Sequence, residues 1–430
     1  MNYQQACDWL NQHQFFSIKL GLATTRELLA ELGNPQDQYP IIHLAGTNGK
    51  GSVGATLLSC LSQGGYRTGF YSSPHLVSVR ERFCLGTQWI PRDEFTDIIN
   101  SLDLFLHDRT HPTYFELTTI IVLLWFARQK ADLVILETGM GGRLDATNVV
   151  TPLLSILTDI SLDHEQYLGD TIEKIAYEKA GIIKPGVPVV FSGRDRAALP
   201  TISTQSKQQQ SRLYLLGKDF FGEACDGGIE YTSLCGTRQR YSLSLAGAHQ
   251  VVNASLALAG LDVLTAHFPL TIDQIRTGLA QVVWPGRMEL VSHLYRGKKI
   301  QVLFDGAHNE AGVMQLAESL SQGYPRNRLI LVWGNMADKV MAPAFERILA
   351  CADSVILTRA EYQRSAPAES LFARLPEPVQ TKACCLEPAA RALQFALEEA
   401  NEDDLVCVAG SLYLVGLVRH ILNDGVTSNG

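Results

Sequence analysis

With 430 residues, the chain has room for two large domains or three smaller ones. Hydrophobic residues make up 46% of it and charged residues 19%, which excludes a disordered, collagen-like or coiled-coil protein. A net charge of -8 argues against a general nucleic-acid binder, although a local basic pocket can still receive an anionic substrate.

The N-terminal MNYQQACDWLNQ lacks the basic and apolar regions of a signal peptide. IIHLAG (41–46) reads as a buried strand, followed by a helix over 50–63 and a strand at RTGFYSS (67–73). A helix-length segment at 114–130 precedes the strand DLVILE (132–137). Its most apolar run, 117–127, covers about half of the ~20 residues a membrane span requires. Strands at 153–160 and 188–191 enclose a helix at 171–183. This alternation predicts parallel βαβ units and a doubly wound, mostly parallel sheet. From 213 to 245 short alternating runs with Gly-Gly and Cys-Gly turns predict a small antiparallel section, and a helix follows over 247–267.

WPGRMELVSHLYRGKK (284–299) marks a boundary, giving domains at 1–294 and 295–430. Beyond it, strands at 299–305, 328–334, 354–358 and 404–410 alternate with helices, as in a smaller Rossmann-like α/β domain. The nine cysteines include no C-x-x-C pair and read as free thiols of a reducing compartment. The expectation is a soluble, cytoplasmic protein that binds neither membrane nor nucleic acid.

Between the first strand and its helix lies Gly46-Thr47-Asn48-Gly49-Lys50-Gly51-Ser52. A glycine-rich turn opening a helix offers backbone N–H groups and the positive end of a dipole to phosphates. Lys50 adds a point cation, and Ser52 is placed to give a hydroxyl to Mg²⁺. The spacing departs from G-x-x-x-x-G-K-[ST], so a glycine turn with a structural lysine is the alternative.

Open α/β sheets bind ligands beyond the carboxyl ends of their strands. Ser72 and Ser73, Glu137, and Asp163 with His164 stand at three such ends, a set of oxygen donors and one imidazole compatible with Mg²⁺. Each alone could be a turn residue or a cap. Lys179 lies on the inward stripe of Ile172, Ile175 and Ala176. It is either a snorkelling lysine or one whose pKa burial lowers, and a neutral amine can take up CO₂ as a carbamate, an anionic oxygen ligand.

The segments HLAGTNGKGS, YSSPHLVSVRERF, TYFELTT, ETGMGGRLDATN, LDHEQYLG, EKAGIIKPG, PGRMEL and FDGAHN, in this order, resemble the folylpolyglutamate synthase/dihydrofolate synthase family of the Mur-ligase superfamily. The resemblance runs from about residue 10 to VAGSLYLVGLVR (408–419). It implies an ATP-dependent ligase that adds L-glutamate to dihydropteroate, to reduced folates, or to both, through an acyl phosphate. Implied ATP contacts are Thr47, Asn48, Gly49, Lys50, Gly51, Ser52, Asn253, Arg287 and Asp305. Ser52, Ser73 and Glu137 would hold one Mg²⁺, and His164 with carbamylated Lys179 a second. His308 would lie beside the reacting groups, with Lys50, His164, Lys179 and Asp305 as the other catalytic residues. The pterin- or folate-binding segments would be Leu20-Gly21-Leu22, Thr113-Tyr114-Phe115-Glu116 and Leu144-Asp145-Ala146. A monomer with small-molecule substrates is the family-level expectation. Some members that accept dihydropteroate have Asp before the Leu-Gly-Leu triplet; here that position is Lys19, which leaves the dihydropteroate step open. The rivals are a cell-wall Mur ligase, which carries a further N-terminal domain where only 45 residues precede Gly46 here, and an ATP-binding regulatory module.

Overall fold

The structure, a computed structural model, describes residues 1–13, 21–107, 112–337, 343–360 and 365–424. It divides into two compact units, the first of residues 1–74, 78–244 and 250–282, the second of 75–77, 245–249 and 283 onward.

The first unit is built on an eight-stranded sheet of β1 (Ile41–Ala45), β2 (Thr68–Tyr71), β3 (Phe83–Leu85), β4 (Gln88–Trp89), β5 (Leu133–Glu137), β6 (Leu154–Leu157), β7 (Val189–Phe191) and β8 (Leu213–Leu215). The order is β4-β3-β2-β5-β1-β6-β7-β8, with β2–β3 and β3–β4 antiparallel and the other pairs parallel. β1 and β5 are buried along their whole length, as strands covered on both faces by crossover helices must be. Ile41 pairs with Val134 and Leu44 with Glu137, so the phosphate loop after β1 and the acidic end of β5 emerge side by side. The 213–245 segment splits: its first strand extends the large sheet, and β9 (Phe221–Cys225), β10 (Gly228–Thr232) and β11 (Arg238–Ser242) form the small antiparallel sheet.

The helix Tyr114–Arg128 starts at a capping box. Thr113 Oγ1 accepts from Glu116 N at 3.3 Å, and Glu116 Oε2 accepts from Thr113 N at 2.8 Å. The helix is apolar all round and packs within the core formed by Leu29, Ile41, Phe95 and Val134.

The second unit has a six-stranded sheet of β12 (Glu289–Tyr295), β13 (Lys298–Phe304), β14 (Leu329–Trp333), β15 (Ser354–Leu357), β16 (Ala383–Cys385) and β17 (Leu405–Ala409), ordered β12-β13-β17-β14-β15-β16. Alternate residues of β14 serve opposite cores: Leu329, Leu331 and Trp333 on one face, Ile330 and Val332 on the other. β12 and β13 form a hairpin whose turn residues, Arg296 and Gly297, both have positive φ (47° and 84°), the two-residue geometry that fits strand twist. The domain boundary expected after residue 294 therefore falls inside β12, and the second unit resumes at Val283. The Pro-Gly-Arg stretch is not a linker, because Gly306 N donates to Gly286 O at 2.8 Å and fastens it to the end of β13.

Candidate active site

The loop after β1 is held from below by the loop after β6. Thr158 Oγ1 donates to Asn48 O at 2.7 Å, Thr47 N to Asp159 O at 2.7 Å, and Thr47 Oγ1 to Ser161 O at 3.0 Å. A Cβ on Gly46 would fall 1.7 Å from Thr158 Oγ1, so only glycine permits this approach. Gly49, at φ 90°, precedes the helix Lys50–Gln63. Its upward face is closed by Asn253, whose Oδ1 would stand 2.4 Å from an added Cβ. The loop is thus rigid, with its amides and the helix N-terminus forming a phosphate cradle.

Two lysines meet at one carbonyl. Lys50 Nζ donates to Gly46 O at 2.9 Å and to Thr47 O at 3.2 Å. Lys179 Nζ, on the helix Ile172–Ala180, donates to the same Gly46 O at 2.9 Å. Lys179 is 4% exposed, and burial, reinforced by the Lys50 charge, lowers its pKa from 10.5 to about 7. The inward stripe read from the sequence holds, with Ile175, Ala176 and Ala180 buried beside it.

Glu137, buried at the end of β5, lies 4.0 Å from Lys50 Nζ through Oε1, while its Oε2 accepts from Ser73 N at 3.3 Å. Ser52 is buried in the first turn of the helix. His164, in left-handed conformation (φ 51°), starts the short helix Glu165–Leu168, and its N–H donates to Asp163 Oδ1 at 2.9 Å. Ser52, Ser73 and Glu137 are oxygen donors of the kind Mg²⁺ takes together with waters. Among the described residues no three His, Cys, Asp or Glu side chains converge, which leaves hydroxyls and water to complete such a shell. The pair His164 and Lys179 contains a cation as it stands and fits a metal only once the lysine is N-carboxylated.

In the segments expected to bind a pterin or folate, the two carboxylates are engaged within the chain. Glu116 is spent on the capping box, and its Oε1 accepts from Thr25 Oγ1 at 3.4 Å. Asp145 is a buried cap: Oδ2 accepts from Met140 N at 2.9 Å, and Oδ1 from Thr147 N at 3.0 Å and Thr147 Oγ1 at 2.5 Å. Desolvation raises its pKa, and these bonds oppose the rise. Both carboxylates shape their segments from within. Phe115 lies against Gly139, where an added Cβ would come within 2.4 Å of its ring, so the 113–116 and 139–146 segments adjoin. Tyr114 lies under the Arg82 guanidinium, 5.3 Å from the ring centre. Leu144 is half-buried and Ala146 buried beside Asp145. Gly21 and Leu22 lead into the helix Ala23–Glu31, while Leu20 and Lys19 lie outside the described residues.

In the second unit Asp305 ends β13 with both oxygens engaged, Oδ2 by Met288 N and Oδ1 by Ala307 N, each at 2.9 Å. Arg287 reaches Gly306, where a Cβ would meet its guanidinium at 3.0 Å. His308 Nδ1 lies 2.8 Å from Gly306 O, and Asn309 caps the helix Glu310–Gln322 through Gly312 N. These residues form one turn cluster within that unit.

Sequence reasoning overlooked Gln250, Thr158 and Asn148. Gln250 and Asn253 are three positions apart on one helix and so share a face, a signal that was present in H-Q-x-x-N. The capping box was likewise legible as T-x-x-E before an apolar run.

The chain matches the Mur ligase middle domain over residues 44–261 and the Mur ligase glutamate ligase domain over residues 286–412. It is 34% identical to the dihydrofolate synthase/folylpolyglutamate synthase of Bacillus subtilis, over 97% of this chain and 98% of that protein. Identity to the Escherichia coli protein of the same description is 32%, over 95% and 92%. Among solved structures, E. coli FolC in complex with DHPP and ADP superposes with a TM-score of 0.88 at 31% identity, covering 97% of this chain and 98% of that one. A bifunctional folylpolyglutamate synthase/dihydrofolate synthase with Mn, AMPPNP and L-glutamate bound gives 0.85 at 29% identity, over 97% and 98%. The phosphate cradle and the two-unit α/β architecture agree with these likenesses, and the chain belongs to the folylpolyglutamate synthase/dihydrofolate synthase family of Mur-type, ATP-dependent glutamate ligases.

Proposed function

We propose that this chain, as a cytoplasmic monomer, joins the amino group of L-glutamate to the carboxylate of dihydropteroate, of a reduced folate, or of both. A carboxylate does not acylate an amine at neutral pH, so its oxygen must first become a leaving group. An acceptor oxygen attacks the γ-phosphorus of ATP, ADP departs, and an acyl phosphate remains. The glutamate amine then adds to the acyl carbon and loses a proton, and the tetrahedral intermediate expels phosphate.

The observation that carries this reading is the meeting of Lys50 and Lys179 on the Gly46 carbonyl, with the buried Glu137 carboxylate 4.0 Å from Lys50. Amides of residues 46–52 receive the phosphates, and Lys50 turns from the loop carbonyls to offset charge on the transferring group. Ser52, Ser73 and Glu137 would hold one Mg²⁺, and His164 with carbamylated Lys179 a second. Bound there, Mg²⁺ supplies charge neutralisation on the phosphoryl oxygens. A lysine whose pKa lies near 7 is partly neutral in the cell, and its amine forms an N–C bond to CO₂ with release of one proton. Arg287, Asp305 and Asn253 are assigned to ATP, and His308 to the reacting groups. Gly21, Leu22, Thr113 to Glu116 and Leu144 to Ala146 are assigned to the acceptor pocket, with Glu116 and Asp145 shaping it.

The test is phosphate release with ATP, Mg²⁺ and glutamate, run separately with dihydropteroate and with tetrahydrofolate. Release should require an acceptor and glutamate together, and Lys50→Ala should lower it by about 10²-fold or more, as loss of an electrostatic stabiliser does. Turnover with both acceptors means a bifunctional enzyme; turnover with tetrahydrofolate alone means a polyglutamylating enzyme. Release independent of both acceptors and of glutamate would favour a nucleotide-switch module.

A further inference from the structure

Ser52 is placed in the first turn of the helix Lys50–Gln63, and its hydroxyl is not left to rotate. Gln250 Nε2 donates to Ser52 Oγ at 3.3 Å. Gln250 is 2% exposed, and its Oε1 accepts from Asn253 Nδ2 at 3.0 Å. Asn253 is in turn seated against Gly49, with its Oδ1 2.4 Å from where a Cβ of that residue would lie. The three side chains therefore form a directed chain from the phosphate loop to the hydroxyl of Ser52.

The direction has chemical content. An amide offers a donor at one end and an acceptor at the other. With Oε1 occupied by the Asn253 donor, the end of Gln250 facing Ser52 is the nitrogen, which can only donate. Ser52 Oγ then has one lone pair committed to Gln250, and keeps a second lone pair and its proton. A neutral hydroxyl ligates a cation through a lone pair, so committing one of them aims the other. Outer partners of this kind orient metal ligands and are energetically consequential.

We propose that Gln250 is a positioning residue for the divalent cation that accompanies the nucleotide: it aims the Ser52 hydroxyl, and Asn253 keeps Gln250 in the donating orientation. The inference rests on Ser52 being a metal ligand, as assigned above. It gives Asn253 a task beyond nucleotide contact and explains the glycine at 49, whose missing side chain makes room for that anchor.

The test uses Mn²⁺ as the probe, titrated by electron paramagnetic resonance into the protein saturated with a non-hydrolysable ATP analogue. Wild type is compared with Gln250→Met, which keeps length but removes the donor, with Ser52→Ala, and with the double variant. Gln250→Met should weaken Mn²⁺ binding by about 10- to 100-fold, the usual cost of an outer-shell change. Its affinity for the analogue without metal should fall by less than its Mn²⁺ affinity, because Asn253 loses one hydrogen bond but keeps its seat against Gly49, whereas a general packing defect would weaken both alike. The double variant should bind Mn²⁺ no worse than Ser52→Ala, because Gln250 acts through that hydroxyl. Should Gln250→Met fail to fold by circular dichroism, Gln250→Leu, which likewise removes the donor without adding charge, carries the same expectation. Wild-type Mn²⁺ affinity in the Gln250 variant beside a loss in Ser52→Ala would overturn the role of Gln250 and leave Ser52 a ligand. Additive losses in the double variant would also overturn it. Wild-type affinity in Ser52→Ala would remove the assignment of Ser52, and this inference with it.

Discussion

A buried ammonium group costs several kcal/mol unless it meets an anion or sheds its proton, and Lys179 donates to a carbonyl oxygen while the charges of Asp163 and Asp145 offset its burial only in part. Its place on the inward stripe was legible from spacing, because helical period reports which face a side chain occupies. Its partner was not, since Gly46 lies 133 positions away. The same distance problem hid the partner of His43. That ring is wholly buried on β1, as the reading of IIHLAG as a buried strand implies, but its Nε2 lies 2.9 Å from Thr147 Oγ1, a partner 104 positions away. Burial lowers its pKa from 6.5 to about 3. Between those values the unfolded chain binds a proton that the folded chain refuses, so stability falls as pH drops from 6.5 toward 3. A single such site contributes a slope of about 1.4 kcal/mol per pH unit. His43→Gln should therefore lose less thermal stability than wild type between neutral and mildly acidic pH, whatever its stability at neutral pH. Equal slopes in the two proteins would show that His43 already titrates normally.

At the scale of elements, the helix Ile172–Ala180 is locked to the loop after β5 by glycines on both sides. Arg143 N donates to Glu178 O at 2.7 Å, and Asn148 Nδ2 bridges Arg143 O and Gly181 O at 3.0 Å each. A Cβ on Gly181 would lie 2.3 Å from Arg143 Cα, and one on Gly142 would lie 2.9 Å from the carbonyl oxygens of Glu178 and Lys179. These are backbone contacts that no rotamer change relieves. Gly181→Ala should push the helix away from the loop, costing about 1–3 kcal/mol as overpacking does. Because that helix carries Lys179, phosphate release should fall more steeply than thermal stability. A variant that matches wild type in both would mean that the contact is not kept in solution. The sequence places E-K-A-G within the helix expected over 171–183 and G-M-G-G-R after the strand that ends at Glu137, but that the two segments press on each other is a property of packing alone. The capping box at Thr113 and Glu116 is the contrary case, a purely local device readable from four residues.

At the scale of the whole molecule, the chain divides into two units, and the second resumes at Val283, where the sequence led to an expected boundary after residue 294. Pro285, Gly286 and Arg287 look like a linker because turn residues and linkers share composition. They prove to be a turn bound to the end of β13, with Asp305 accepting from Met288 N and Ala307 N. Asp305→Ala leaves those two amides without their acceptor, and an unmet buried group costs about 1–3 kcal/mol. Hydrogen exchange should then quicken around 286–309 and along β13, with protection of β1 and β5 preserved. Uniform loss of protection in both units would instead place Asp305 in the stability of the whole chain.

The sequence by itself determined the strand–helix alternation, the phosphate loop, the stripe that turns Lys179 inward and the family. The first three are encoded within windows of some ten to twenty residues, where period and turn chemistry act, and the family in the order of eight such segments along the chain. The tertiary structure alone decided the strand order, the start of the second unit, the enclosure of Asp145 and Glu116 within their own segments, and the seating of Gln250 on Ser52. Gln250 and Ser52 stand 198 positions apart. Protonation, hydrogen-bond direction and ligand geometry depend on which groups lose water together, and that is set by contacts between segments that the sequence leaves far apart.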